Sequence, residues 1–247
     1  MAVTTPKLPR AMLIDMDDTI LSAYGRPEIA WNTVAAEFAA EFAPLPPQQV
    51  ATAVLGFARN FWSKADASWR LRLAEARHLT VKGGFAALAA AGHRALPDDL
   101  AVRLADRFTA FREEEMFVFP GAHEAIDRFK AHGVKLALVT NGAADTQRAK
   151  VERFELAHRF DHIQIEGEHG FGKPEERAYL HAMDALGVTA KDTWMIGDNL
   201  EWEVVTPQRL GIYAIWIDVH GDGLPEGSQV RPDRIIRSLT ELVPERA

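Results

Sequence analysis

The alternation of apolar and polar positions changes rhythm twice along the chain. A four-residue apolar run, Ala11–Ile14, leads straight into the acidic cluster Asp15-Met16-Asp17-Asp18, the pattern of a buried strand that ends in a loop. From about Leu21 to Phe117 the period is helical. Trp31, Val34, Phe38 and Phe42 fall on one helical face, as do Leu100, Leu104, Phe108 and Phe111. Pro44, Pro46 and Pro47 separate the first helix from the next, and Gly92 and Pro97 punctuate further on. After Pro120-Gly121 short apolar runs alternate with helical stretches. Strands are expected at Val134–Thr140, Ile163–Glu166, Thr193–Gly197 and Ile212–Asp218. A helix is expected over Pro174–Leu186, with Tyr179, Met183 and Leu186 on one face, and Asp98 and Ser238 read as helix N-caps.

Near-continuous apolar strands separated by helices predict a parallel sheet covered on both faces. The first strand is cut off from the others by about a hundred helical residues. The simplest architecture is one α/β core, residues 1–20 and 118–247, with a helical cap, residues 21–117, inserted after the first strand. No internal repeat or low-complexity tract interrupts it.

Composition narrows the function classes. Of 247 residues, 47% are apolar and 26% charged, which is ordinary for a globular chain. The net charge of -7, with no basic block, argues against a nucleic-acid polymer as partner. It does not exclude a phosphorylated substrate, because a bound cation reverses the local field. With no cysteine, disulfides, thiolate catalysis and Cys-based zinc sites are excluded. The stretch Met1–Arg10 is polar and holds two prolines, unlike a signal peptide, and the apolar run Phe85–Ala91 is too short to span a bilayer. No membrane partner is expected, and the cytoplasm is the expected location.

In an open parallel sheet, ligands collect at the carboxyl ends of the strands. Those ends carry Asp15 and Asp17, then Thr140-Asn141-Gly142, then Asp198, with Lys173 in the loop Gly170-Phe171-Gly172-Lys173-Pro174. Converging carboxylates repel unless a cation sits among them. An all-oxygen donor set suits Mg²⁺, which takes one or two carboxylates plus substrate phosphate. Lys173 and the backbone N–H groups of 140–142 are then candidates to hold phosphate oxygens. An Asp is a competent nucleophile for phosphoryl transfer, and an acid two residues further along an extended segment points to the same side, placed for acid/base work. Alone, Thr140 or Asp198 reads as a turn former or cap, and Lys173 as a solvated lysine. The four segments together, in this order, make a site.

On these four motifs the chain resembles the haloacid dehalogenase-like hydrolase superfamily. The resemblance implies a Rossmann-like, three-layer parallel-sheet core with an inserted α-helical cap, the arrangement of subfamily I. It implies Asp15 as nucleophile, Asp17 as general acid/base, Thr140 and Lys173 as phosphate-binding residues, and Mg²⁺ held by Asp15, Asp198 and the carbonyl of Asp17. Haloacid dehalogenases lack an acid two residues after the nucleophile, so Asp17 points to phosphate ester hydrolysis. The phrases Thr140-Asn141-Gly142 and Gly170-Phe171-Gly172-Lys173-Pro174 are similar to the branch holding pyrimidine 5'-nucleotidases and N-acylneuraminate-9-phosphatase. Two positions depart from the common pattern. Asp18 stands where the family usually has Gly, and Glu203 where it usually has Asp, either reaching the metal through water or supporting Lys173.

The expected function is therefore Mg²⁺-dependent hydrolysis of a small-molecule phosphate monoester through an aspartyl-phosphate, by a monomer or homodimer. A sugar phosphomutase-type phosphotransferase and a non-catalytic scaffold that kept the fold are the alternatives. The aromatics Trp31, Phe38, Phe42, Phe57, Phe61, Trp62 and Trp69 are read mostly as the cap's own core, with a substrate pocket as the alternative. Lys64, Arg70, Arg72 and Arg77 are read as a solvated face. His158 and His162 share helical spacing without a third ligand near them in sequence and are read as structural, not as a zinc site.

Overall fold

A computed structural model describes residues 8–244 of the chain; most of the polar N-terminal stretch compared above with a signal peptide lies outside them. The chain divides into two compact units. One comprises the segment up to Ser22 and everything from Phe117 onward; the other is Ala23–Met116. No helix among the described residues is long and apolar enough to cross a membrane.

In chain order the elements are β1 (Ala11–Ile14) and β2 (Leu21–Ser22), then the helices α1 (Pro27–Glu37), α2 (Ala39–Phe42), α3 (Pro47–Trp62), α4 (Leu73–Ala90) and α5 (Asp98–Glu114). There follow β3 (Phe117–Val118), α6 (Ala122–Ala131), β4 (Lys135–Thr140), α7 (Ala144–Arg153), β5 (His162–Ile165), α8 (Glu166–His169), α9 (Glu176–Leu186), β6 (Thr193–Gly197), α10 (Thr206–Arg209), β7 (Tyr213–Ile217) and β8 (Arg234–Ile236). Six strands form one parallel sheet in the order β5-β4-β1-β6-β7-β8. The chain winds outward from β1 on one side through β4 and β5, then on the other through β6 to β8. That reversal puts the carboxyl ends of β4, β1 and β6 side by side, where ligand sites form in such sheets.

β1 is central and wholly buried, and its four residues pair with both neighbours, Ala11 with Lys135 and Thr193, Ile14 with Leu138 and Ile196. Its unbroken apolar run is the consequence of having both faces covered. On one face, Ala11, Leu13, Ala137, Val139 and Met195 pack against Ala178, Tyr179, Ala182, Met183 and Leu186 of α9. Strands β1 and β6 match the expected bounds, and the other anticipated strands shift by one residue at their ends. β8 was not expected, because its apolar pair Ile235-Ile236 lies among charged residues at the sheet's edge.

The helical reading of 21–117 needs correction at its margins. Leu21–Ser22 and Phe117–Val118 pair antiparallel as a short ribbon. Asp98 is the first residue of α5, whose cap position is Pro97, and it pairs with Lys82 at 2.8 Å. Ser238 is an N-cap, with Glu241 completing a capping box.

Within Ala23–Met116 the core is built as the periodicity requires, from Trp31, Val34, Phe42, Leu100, Leu104 and Phe108, with Phe38 and Phe111 partly buried against it. Trp31 stacks on Phe108 at 3.8 Å between ring centroids, and Phe42 meets Phe85 edge-on at 6.3 Å. The other aromatics do not join this core. Phe57 and Trp62 are exposed, while Phe61 packs edge-on against Trp62 and Trp69, with Arg72 over the Trp69 ring. Arg77 is not on a solvated face either. It is half-buried and donates to Thr109, and desolvation lowers its pKa.

Candidate active site

Asp15 is the first residue past β1, and its backbone N–H still donates to Ile196 of β6 at 2.9 Å. The ladder thus fixes its position to the sheet. The carboxylate is 7% exposed and accepts from the Lys173 ammonium at 2.5 Å. Lys173 is itself 0% exposed and lies 2.8 Å from Glu203, also wholly buried. A buried lysine carries a large desolvation cost unless it is paired. Here the two carboxylates outweigh that cost, and the ammonium is held well above its ordinary range. The solvated-lysine reading fails at this position.

Glu203 is placed by local backbone. It belongs to a π-helical turn, Leu200–Val205, opened by Asn199, whose side chain accepts from the N–H groups of Glu201 and Trp202. The second carboxylate oxygen of Glu203 accepts from Asn199 N–H at 2.8 Å. The glutamate lies flat against the end of β6, and a side chain on Gly197 would strike it, with Glu203 Cγ only 2.1 Å from the Cβ position. Glycine is required there so that Glu203 can reach Lys173. Of the two roles open to Glu203, supporting Lys173 is the one this geometry adopts.

The lysine's loop is clamped by Asn141. Its side-chain amide donates to Lys173 carbonyl at 2.6 Å, and its side-chain oxygen accepts from Lys173 N–H at 2.9 Å. Gly172 permits this approach, since a Cβ there would lie 2.6 Å from Asn141 Oδ1. The Asn141 side chain therefore positions the loop. Gly142 N–H likewise donates to Glu166 at 3.0 Å. Lys173, expected at the phosphate, directs two of its three ammonium N–H groups to Asp15 and Glu203.

Thr140 ends β4 and is buried. Its hydroxyl accepts from Gln147 at 2.6 Å and keeps its own proton to donate. The same Gln147 amide nitrogen reaches Asp17 at 2.9 Å, and Lys150 lies 2.8 Å from both Asp17 oxygens. Gln147 and Lys150 come from α7 and were not among the expected site residues. The available signal was weak: two polar residues three apart in a helix, beside buried Val151, with nothing local to say what lies opposite them.

Asp18 has φ 59°, in the left-handed region. Asp tolerates that conformation better than most side chains, although Gly meets it at less cost. Asp198 lies past β6, with its backbone carbonyl fixed by Trp216 Nε1–H at 2.6 Å. Its carboxylate opens to solvent, yet the surrounding protein and the charges of Asp15, Glu203 and Asp18 push its pKa up to about 9. Burial raises Asp15 too, with Lys173 opposing and Asp17 adding to the rise, and Glu203 is pushed up to about 7, chiefly by burial. Carboxylates held at such cost, with oxygen the only donor type in the set, fit a hard divalent cation.

The model of the haloacid dehalogenase-like hydrolases matches residues 9–211. The chain belongs to this family.

The chain is 37% identical over 144 residues to a phosphoserine phosphatase of Thermus thermophilus, covering 58% of this chain and 56% of that protein. It is 37% identical over 110 residues to N-acylneuraminate-9-phosphatase of Rattus norvegicus, covering 44% of each. It thus spans about half the length of the curated relatives it matches. Among solved structures, the putative hydrolase YfnB of Bacillus subtilis, described as bound to magnesium, superposes with a TM-score of 0.67 at 25% identity, over 96% of this chain and 97% of that one. The Rossmann-like fold expected for this hydrolase family is the one observed.

Proposed function

We propose that the chain is a Mg²⁺-dependent phosphatase that hydrolyses a small-molecule phosphate monoester through an aspartyl-phosphate on Asp15. The observation that carries this reading is the fully buried Lys173 held between Asp15 and Glu203 at the carboxyl ends of β1 and β6. A lysine so placed orients one Asp15 oxygen and leaves the other to attack phosphorus in line. Asp17, two residues on, carries in the substrate complex the proton it donates to the leaving oxygen as the P–O bond breaks, and the carboxylate so formed takes a proton from the water that attacks the aspartyl-phosphate. The Thr140 hydroxyl donates to a phosphoryl oxygen. Asp15, Asp198 and the Asp17 carbonyl are the residues to hold Mg²⁺, which when bound supplies charge neutralisation for the phosphate.

The phosphatase relatives in the family support ester hydrolysis over dehalogenation, as does Asp17 at its position. The helical unit Ala23–Met116 is the proposed carrier of substrate choice. The test is hydrolysis of p-nitrophenyl phosphate with and without Mg²⁺. Release of phosphate that needs the metal and vanishes in Asp15→Asn supports the reading. Folded protein without turnover at any metal concentration refutes it. Following a bis-phosphorylated sugar to free phosphate or to isomerised product separates phosphatase from phosphomutase. A panel of metabolite phosphates then names the substrate.

A further inference from the structure

At the outer edge of the sheet, three histidines far apart in sequence meet. His162 lies on β5, His169 ends α8 and His181 lies on α9. One ring nitrogen from each lies within 4.8 Å of the other two, and the ring centroids are 5.1 to 6.2 Å apart. The helical spacing of His158 and His162 does not operate, because His162 is in a strand and His158 in a separate turn.

The hydrogen bonds around the cluster fix the tautomers. His169 Nδ1 faces the Ile165 carbonyl at 3.1 Å, which can only accept, so this nitrogen carries the proton. His181 Nδ1 faces Gln164 Oε1 at 2.8 Å. The Gln164 amide is oriented in turn by donating from Nε2 to the Ala178 carbonyl at 2.9 Å, so His181 Nδ1 is also the protonated one. In the neutral ring, each is left with its lone pair on Nε2. His162 Nε2 is buried without any hydrogen-bond partner. A buried orphan nitrogen costs free energy and calls for an explanation. Anchoring one ring nitrogen to a carbonyl while the other is left bare is how metal-binding histidines are held.

We propose that His162, His169 and His181 bind a Zn²⁺ ion through their ring nitrogens, with water as fourth ligand. Three imidazoles with an open position suit a tetrahedral, borderline-soft ion and not Mg²⁺. Zn–N bonds of about 2.0–2.1 Å imply ligand nitrogens about 3.3 Å apart in a tetrahedron, against separations here of within 4.8 Å. Burial and the other two rings hold the His162 imidazole below its ordinary pKa, favouring its neutral, ligating form. The ion ties β5, α8 and α9 together. It also braces Phe171, which packs against His169 and His181 at 5.8 and 5.5 Å and lies two residues before Lys173. The proposal uses none of the carboxylates of the phosphatase reading and stands or falls separately from it.

Calorimetric titration of ZnCl₂ into the untagged, chelator-stripped full chain, in buffer saturated with Mg²⁺, tests it. One equivalent is expected to bind, and a hundredfold excess over Kd raises Tm by roughly 5–10 °C. His162→Gln, His169→Gln and His181→Gln each weaken binding by at least about 100-fold, whereas Asp198→Asn does not. Absence of Zn²⁺ binding, or binding unchanged in His169→Gln, overturns the proposal. Should the variants fail to fold, the Co²⁺-loaded wild-type protein decides. Intense visible d–d absorption of a four-coordinate ion supports the site, and the faint bands of a six-coordinate ion refute it.

Discussion

Two clusters of ionisable side chains lie in the same α/β unit, and they are built in different ways. At the carboxyl ends of β1, β4 and β6, charges are kept and balanced: Lys173 against Asp15 and Glu203, Lys150 against Asp17. At β5 three imidazoles meet instead, two of them anchored by Nδ1 to a carbonyl-type oxygen. The first arrangement is ion-paired and offers hard oxygen donors. The second is made of nitrogen donors. Donor type thus assigns the two places to different ions more sharply than proximity alone does. Helix α9 is common to both, since its Tyr179 hydroxyl donates to the Trp202 carbonyl beside Glu203 while its His181 faces the imidazoles.

The largest expected effect comes from breaking the charged cluster at its centre. Asp15→Asn is expected to lower kcat by about 10,000-fold or more, because a carboxamide is no nucleophile toward phosphorus. Circular dichroism is expected to show an intact fold, and residual turnover near wild type would remove Asp15 from its role. Lys173→Met leaves Asp15 and Glu203 buried without their cation. A stability loss of about 3–5 kcal/mol in urea unfolding is expected, together with loss of turnover. A neutral result would mean that the balance of charges described here is not what holds the site.

A finer probe is Lys150→Met, which frees Asp17 from its ion pair. It is expected to lower kcat about 10- to 100-fold, within the range set by a mispositioned acid/base, and to leave KM nearly unchanged. Partial recovery with Lys150→Arg separates positioning of Asp17 from simple loss of packing.

The contrast also has a pH signature. Glu203 and Asp198 are raised in the folded state to about 7 and about 9, so between pH 4 and 9 the native state binds more protons than the unfolded chain. Their contribution is therefore fully present below the ordinary carboxylate pKa and is lost as pH rises through the folded values. Metal-free protein is expected to lose a few °C of Tm across that window by scanning fluorimetry. Mg²⁺ should restore it most at the alkaline end, where the carboxylates are ionised. Asp198→Asn should flatten the profile, and a Tm that climbs with pH would contradict the assignment. The smallest effect is expected from Tyr179→Phe, which removes the hydroxyl bond from α9 to the turn carrying Glu203. It should cost about 1 kcal/mol, or about 2–4 °C of Tm, with activity falling only slightly.

Much of this molecule was legible in the chain because it depends on local order. The unbroken apolar run of β1, the helical faces of α1 and α5 and the Ser238 cap follow from period and sterics within a few residues. The acidic cluster after β1, the Thr140 segment, the Lys173 loop and the Asp198 segment declared themselves because each follows a strand or opens a helix. What the chain concealed depends on partners distant in sequence. Phe57 and Trp62 have core-like chemistry but stay exposed, one beside Gly83 and the other against Phe61. Gln147 and Lys150 look like ordinary helix polars until Asp17 is set opposite. The sequence alone determined the alternating strand-and-helix plan and the residue types at each strand end, because these rest on short-range periodicity and steric rules. Only the tertiary structure decided that Asn141 clamps a loop, that Glu203 braces Lys173, and that His162 meets His169 and His181. Each of those choices is made by packing and desolvation between elements that no local pattern brings together.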